Sequence, residues 1–534
     1  MRKKVNIIGA GIAGLSAGCY LQMNGFDSEI FESHSQPGGL CTSWKKGDYM
    51  IDGCLHWLVG SNPADPIYGL WNEVIDMKSI RFHDHEEFFR VRDEKGKEIV
   101  GYSDIERLAQ ELLAKAPEDE QLIRDFIRGI RDMAKMPMRN DKAPELFTVF
   151  DKISELFSFL PYLGTLKRFS RMTIHELAGQ CKNPLLAKFF EFSFASEMPA
   201  LFIMITFSWL TRKSAGYPIG GSLNFAKMFE KRYLEMGGKI HYNSKVTRIM
   251  TENCSKGQGE KGKEELSKGN CRRSKGKEKL SIVNWQLSID NFHRAKGIEL
   301  ENGQVFESDI TISAADGYST IFNMLEGRFA DKRVRHYYEN FAVFPSFLQV
   351  SLGINGDFSG QPSRVVVPLD QPFEIDPERT IENMYYRIYN YDPTLAPQNK
   401  TLITCLVKTH NYKYWQDLRN HDRQKYQEEK NRILDIFINQ LDKTLGGIRD
   451  KVEMTDVSTP ATVTRYTHNW KGSVEGWLIT KETGFNSLPK ELPGLQDFYM
   501  AGQWVEPGGG VPSAFFSGRN LVQVICRKDG RHSA

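Results

Sequence analysis

Val5, Ile7 and Ile8 form a short apolar run that stops at Gly9, the pattern of a strand buried on both faces. Helical spacing follows over 15–24 and closes at Gly25, and a second strand over 28–31 ends on Glu32. Apolar Ile51 beside Asp52 predicts a short strand and turn over 50–53, with His56 and Trp57 just beyond. From about 67 to 210 the pattern is mostly helical. Ser103 and Glu106 have capping-box spacing, and 120–136 continues with helical period. The stretches 153–163 and 185–210 are dense in Phe, Leu and Met. Ordinary core explains most such residues, yet their concentration also fits a greasy tunnel or a surface that dips into lipid.

After the turn 217–221, a helix capped by Ser222 is expected to end at Gly237 and Gly238, and a strand over 245–249 follows. Residues 255–280 hold nine basic and four acidic side chains with almost nothing to bury, which predicts a solvated insertion. Strand character resumes over 282–300 and again over 309–316. Alternating apolar positions at 341–352 and 401–407 predict a second, antiparallel sheet, and 428–445 an amphipathic helix. Residues 458–466 read as an irregular loop. The last pattern is a strand from 498, a glycine loop through Gly509, Gly510 and Val511, and a helix over 513–526.

The spacing Gly9, Gly11, Gly14 is G-x-G-x-x-G between a strand and a helix. Gly9 permits the tight turn, Gly11 lets backbone approach a pyrophosphate, and Gly14 lets helix and strand pack closely. The helix N-terminus adds free N–H groups and the positive end of the helix dipole. Glu32 lies 23 residues after Gly9, where an acid hydrogen-bonds a ribose hydroxyl and disfavours a 2′-phosphate. FAD or NAD therefore fits better than NADP. Gly38 and Gly39, after Pro37, are placed to meet the same dinucleotide. His56 and Tyr466 are the side chains named for a catalytic role; a hydrogen-bonded structural histidine is the simpler account of His56.

Composition narrows the classes. At 534 residues the chain is long enough for two domains. Its 70 basic and 67 acidic residues nearly cancel, which argues against nucleic-acid binding. Eight cysteines without a C-x-x-C pair read as reduced thiols, and no metal site is expected. No leader is read before the first strand, and the most apolar run, 199–210, is about half the ~20 residues a membrane span needs. A cytoplasmic protein, peripheral to a membrane, is expected.

The motifs GAGIAGLSAG at 9–18, FES at 31–33, PGG at 37–39, YPIGG at 217–221, SAAD at 313–316 and YMAGQWVEPGGGVPSAFFSG at 499–518 together resemble the phytoene desaturase and carotenoid isomerase family of FAD-dependent oxidoreductases. These are relatives of the amine oxidase-type flavoproteins. The resemblance implies an α/β fold with a discontinuous Rossmann-like FAD-binding domain, built from 1–75, 215–330 and 455–534. An inserted α+β substrate domain would come from 76–214 and 331–454. It implies that Gly9, Gly11, Gly14, Glu32, Gly38 and Gly39 hold the ADP half and that Val246 lies beside adenine. Gly502, Gly509, Gly510 and Val511 would hold the ribityl chain and flavin. Leu40 stands where desaturases often have Arg, and Gln503 where amine oxidases often have an acid. The implied activity is desaturation, saturation or isomerisation of a long apolar isoprenoid or related lipid. Such a substrate brings a membrane surface in as a partner. The rivals are an amine oxidase-type enzyme on a small amine and a lipid-binding flavoprotein without turnover.

Overall fold

The apolar strand Lys4–Ile8 becomes the centre of a five-stranded parallel sheet. The computed structural model describes residues 2–137, 140–254, 292–531 and 533. Across the sheet the order is Lys239–His241, Asp27–Phe31, Lys4–Ile8, Ile310–Ser313, Phe498–Met500, and every adjacent pair is parallel. The chain thus returns to this sheet from four widely separated segments. Burial on both faces is why the strands are short and continuous in apolar residues.

Helix Ile12–Met23 packs on the sheet and on the C-terminal helix Gly510–Lys528. A Cβ at Gly518 would stand 2.5 Å from the Ala13 carbonyl oxygen, and Ser16 Oγ donates to the Phe515 carbonyl at 2.8 Å. Sequence ends 500 residues apart are therefore in close contact.

A seven-stranded sheet forms the other half of the protein, in the order Val452–Ser458, Ser346–Ile354, Thr401–Thr409, Arg379–Ile388, Arg364–Asp376, Glu87–Arg92, Glu98–Tyr102. Period-two alternation gives it two different faces. Val350, Leu352, Met384, Tyr386, Val365 and Val367 pack with Ile433, Phe437 and Leu441 of helix Arg423–Leu445. The opposite face carries Phe347, Gln349, Tyr385, Arg387 and Arg364, which line a cavity.

Several elements differ from the sequence expectation. The stretch predicted as mostly helical contains the hairpin Glu87–Arg92 with Glu98–Tyr102, closed by an Asp93 side chain that accepts from Lys95 N and Lys97 N. Helix Ile105–Lys115 is capped by Asp104, not Ser103. Asp104 accepts from Glu106 N and Arg107 N, while Ser103 Oγ donates to the His85 carbonyl. Helix Gly221–Glu235 starts from Gly220 in the left-handed region (φ 108°). Ser222 lies inside that helix and accepts from Leu55 N at 2.7 Å. The segment expected to be irregular contains helix Pro460–Thr467, favoured by Pro at its first position and capped by Thr459. The predicted insertion at 255–280 lies outside the described residues.

Candidate functional site

One cavity of about 1950 Å³ runs between the two halves. Its first end is built by two glycine loops and two helix N-termini. Gly9 has φ 98°, and its N–H donates to the Phe31 carbonyl at 2.8 Å. Gly14 stands in contact with that turn: a Cβ there would lie 2.0 Å from the Gly9 carbonyl oxygen. The Gly38 loop is tied to it through Gly38 N–H to Ala10 O at 2.9 Å and a parallel bridge from Gly11 to Gly38. Gly38 itself has φ 110°, and a Cβ would come within 2.3 Å of Cys41 O.

Glu32 is buried beside this turn. Its Oε2 accepts from Ala10 N at 2.7 Å and its Oε1 from His34 N at 2.8 Å. Oε1 also accepts from Ser33 Oγ at 3.3 Å, so Oε2 is the oxygen that keeps a further lone pair for a ligand hydroxyl. The helices starting at Ile12 and Gly510 have neither a side-chain cap nor an acid in their first turn. Gly11, Ile12 and Ala13 of one, and Gly510, Val511 and Pro512 of the other, line the cavity. Unsatisfied N–H groups and two dipole ends at one cavity wall suit a phosphate-bearing ligand. A dinucleotide fits this wall: the bare glycines leave backbone exposed along its length.

The expected cofactor-binding residues fall as follows. Gly9, Gly11, Glu32, Gly38, Gly39, Val246, Gly502, Gly509, Gly510 and Val511 all line the cavity. Gly14 does not line it and acts behind the wall, through packing. Gly502 has φ 109°, and its N–H donates to Ser517 Oγ at 2.8 Å. Val246 begins strand Val246–Asn253. Tyr466 sits edge-on to His34, with ring centroids 5.2 Å apart, at the Glu32 end. His56 stands in the polar cluster described next.

Beyond Cys54 the cavity wall becomes aromatic, with Trp57, Phe88, Phe194, Phe202 and Trp209. The 185–210 stretch thus supplies core and cavity wall, not an exposed surface. Within this wall sits a buried polar cluster. The Arg364 guanidinium donates to His56 O at 2.6 Å and to His85 Nε2 at 3.0 Å. Arg387 donates to His56 Nδ1 and, at 3.0 Å, to the Tyr385 hydroxyl. Burial, with Arg387 and Arg364 beside it, holds the His56 imidazole well below the usual histidine range, and His85 likewise, so both accept as neutral rings. Burial pushes Tyr385 up, but the two guanidinium groups outweigh it and the net shift is downward. Asp52, raised by burial, accepts from Ser222 N and the Tyr217 hydroxyl, both at 3.2 Å.

Glu475 and Lys408 also line the cavity. Burial pushes the Glu475 carboxyl up to about 7, partly offset by the Lys408 charge, and pulls the Lys408 amine down to about 8, partly offset by Glu197 and then Glu475. A Cβ at Gly509 would meet Glu475 Oε2 at 2.6 Å, so this carboxyl abuts the C-terminal glycine loop. Sequence reasoning missed Arg364, Arg387, Lys408 and Glu475. Polar residues alternating with apolar ones on a strand read as a solvated face, whereas here that face meets a cavity. The available signal was two arginines set in runs of Val and Tyr.

Among the described residues, no group of acidic, histidine or cysteine side chains is arranged to hold a metal ion, and no helix is long and apolar enough to cross a membrane. An NAD(P)-binding Rossmann-like domain model matches residues 7–74. The chain is 23% identical to a 4,4'-diapophytoene desaturase (4,4'-diapolycopene-forming) of Methylomonas sp, covering 98% of this chain and 96% of that protein. It is 22% identical to a chloroplastic prolycopene isomerase of Daucus carota, covering 96% and 78%. Among solved structures it superposes on an oxidoreductase from Methanosarcina mazei (TM-score 0.59, 17% identity, 97% and 100% covered). It also superposes on putrescine oxidase with putrescine bound (TM-score 0.57, 12% identity, 99% and 100% covered). Similarity to carotenoid desaturases and isomerases at 22–23% identity thus runs over nearly the whole chain, and the fold is shared with putrescine oxidase.

Proposed function

We propose that the protein is an FAD-dependent oxidoreductase that desaturates, saturates or isomerises double bonds in a long apolar isoprenoid, carotenoid or related lipid. The carrying observation is the single cavity that joins a dinucleotide-type wall to an aromatic chamber. Its volume of about 1950 Å³ is roughly twice the upper end of an ordinary small-molecule site, enough for a cofactor and a long chain together. FAD, when bound, supplies the redox chemistry.

The chain's own residues do the rest. Gly9, Gly11, Glu32, Gly38 and Gly39 would hold the ADP half, Val246 would face adenine, and Gly502 with the 509–511 loop would hold the flavin end. In this reading 1–75, 215–330 and 455–534 serve the cofactor, and 76–214 with 331–454 serve the substrate. Trp57, Phe88, Phe194 and Phe202 exclude water and align an extended apolar chain. In the test, anaerobic protein loaded with FAD is mixed with polyene lipid or with putrescine, and the visible flavin band is followed. Bleaching by polyene but not by amine is expected of desaturation, and return of the band when polyene is added to dithionite-reduced protein is expected of saturation. A protein that cannot retain FAD, or whose flavin responds only to the amine, overturns the reading.

Delivery of such a substrate calls for a membrane surface, and one helix is built for it. Along Val149–Phe159, Val149, Phe150, Leu156 and Phe157 are 75%, 78%, 61% and 65% exposed, and Leu160 and Leu163 extend the patch. Monomeric soluble proteins seldom display such a contiguous apolar strip. The strip adjoins the chamber: the Tyr162 hydroxyl donates to Lys135 O at 3.1 Å, one residue before the cavity-lining Met136. Phe150→Ser with Phe157→Ser is expected to reduce sedimentation with phospholipid vesicles by about tenfold, in line with the apolar area withdrawn, with FAD content unchanged. Equal binding by variant and native protein would remove the helix from the membrane contact.

A further inference from the structure

Two buried arginines stand side by side in the chamber wall. Arg364 and Arg387 are directly opposed in the antiparallel pairing of strands Arg364–Asp376 and Arg379–Ile388. They are 3% and 1% exposed, and both line the cavity. Like charges at directly opposed positions repel each other, and burying a cation without a counter-charge is strongly unfavourable.

Their partners do not remove the problem. His56, His85, Tyr385 and Tyr389 take hydrogen bonds from the two guanidinium groups, and the Trp57 and Phe88 rings lie 5.9 and 5.3 Å from the Arg364 guanidinium carbon. None of these is a carboxylate. Among the described residues, neither arginine forms an ion pair with a carboxylate. Asp52, the acid that feels Arg387, is already engaged by Ser43, Ser222 and Tyr217. The Nε atoms of both arginines are buried without a hydrogen-bond partner. A guanidinium carries five donors in a fixed fork, so two forks converging on the His56 backbone and ring leave unused donors beside the aromatic part of the chamber.

We propose that Arg364 and Arg387 form a carboxylate-binding site, and that the substrate is a long apolar chain ending in a carboxylate instead of a pure hydrocarbon. This rests on the reading that the chamber takes a long apolar chain. A carboxylate offers two oxygens to the two forks, supplies the missing negative charge, and is held best where water is excluded. Anchoring one end also fixes which double bond of an extended chain comes to rest opposite the cofactor wall. A chain without a polar end gains nothing from the two cations.

The test uses FAD-loaded protein and isothermal titration calorimetry with all-trans-retinoic acid and its methyl ester. Native protein is expected to bind the acid about 100-fold more tightly than the ester, the scale set by leaving buried charged donors unpaired. In Arg364→Leu with Arg387→Leu the preference is expected to fall within about threefold, with FAD retention as the check on folding. Should that variant fail to fold, the acid-to-ester ratio of native protein decides alone. Equal binding of acid and ester by native protein overturns the proposal, as does a preference that survives in the double variant. A double variant whose flavin spectrum changes without ligand while its acid preference persists would assign the arginines to the cofactor and also overturn it. If the ester binds as well as the acid, the apolar-chain reading stands without the carboxylate. If neither binds to FAD-loaded protein, the apolar-chain reading fails first.

Discussion

Alanine at Gly11 is expected to abolish tight binding of the proposed FAD and leave folding intact, whereas alanine at Gly14 is expected to damage folding itself. At Gly11 the backbone is extended (φ −67°, ψ 172°), a conformation any residue adopts, and a Cβ would meet only the Gly38 carbonyl oxygen at 4.0 Å. Gly11→Ala is therefore expected to change stability by less than about 0.5 kcal/mol. Its methyl group occupies the cavity face where a pyrophosphate must reach the backbone, and the dissociation constant for FAD is expected to rise at least ~100-fold, or about 2.7 kcal/mol. At Gly14 the Cβ falls 2.0 Å from the Gly9 carbonyl and 3.2 Å from the Ala314 Cβ. Helix and strand must then separate, at a cost of about 3 kcal/mol, at the upper end for overpacking. Urea unfolding and flavin fluorescence measured on both variants check the pair. Native-like FAD affinity in Gly11→Ala would mean that no phosphate lies on that turn.

These two glycines also mark how much was readable in advance. The nucleotide wall is local in sequence: the strand, turn, helix and acid of the first 32 residues are consecutive, and each leaves its own mark of spacing or glycine. The C-terminal loop at 508–510 was legible for the same reason, since its positive φ angles demand glycine. Short-range competition hid other features. Ser103 and Asp104 are adjacent capping residues, and only the fold, by sending Ser103 to the His85 carbonyl, decides between them. The hairpin at 87–102 is amphipathic on a scale that a helical reading absorbs.

The chamber was illegible for a different reason. Its polar wall draws His56 from the segment after Asp52, His85 from the approach to the hairpin, and Arg364 and Arg387 from two neighbouring strands. No window of sequence contains the set. The sheet's alternation is visible in the sequence, but alternation says only that two faces differ. That the polar face meets an enclosed space and not bulk water follows from the opposing half of the protein. Exposure of helix Val149–Phe159 has the same origin: its apolar density was plain, while the absence of covering neighbours is a property of the tertiary structure.

Glutamine at Glu475 is expected to make the protein more stable and less active. Burial raises this carboxyl from 4.5 to about 7, so between those values the folded state holds a proton that the unfolded state has lost. Stability consequently falls as pH rises from about 4.5 to about 7 and then levels off; at 1.36 kcal/mol per pH unit the loss is on the order of 3 kcal/mol. Lys408 acts in the opposite sense at higher pH. Burial lowers it from 10.5 to about 8, so the unfolded chain binds the extra proton between those values and stability rises again as pH increases through them. Glu475→Gln should abolish the first slope, matching native stability near pH 4.5 and exceeding it by on the order of 3 kcal/mol at pH 8 in urea unfolding. Lys408→Met should remove the second slope and, by withdrawing the attracting cation, carry the Glu475 decline above pH 7. An unchanged slope in Glu475→Gln would mean that another group titrates. An acid raised to about 7 and an amine lowered to about 8 on one chamber wall suit proton transfer at neutral pH, and Glu475→Gln is expected to lower turnover by about 100-fold. Gain of stability and loss of turnover in the same variant would place the pair in the working site.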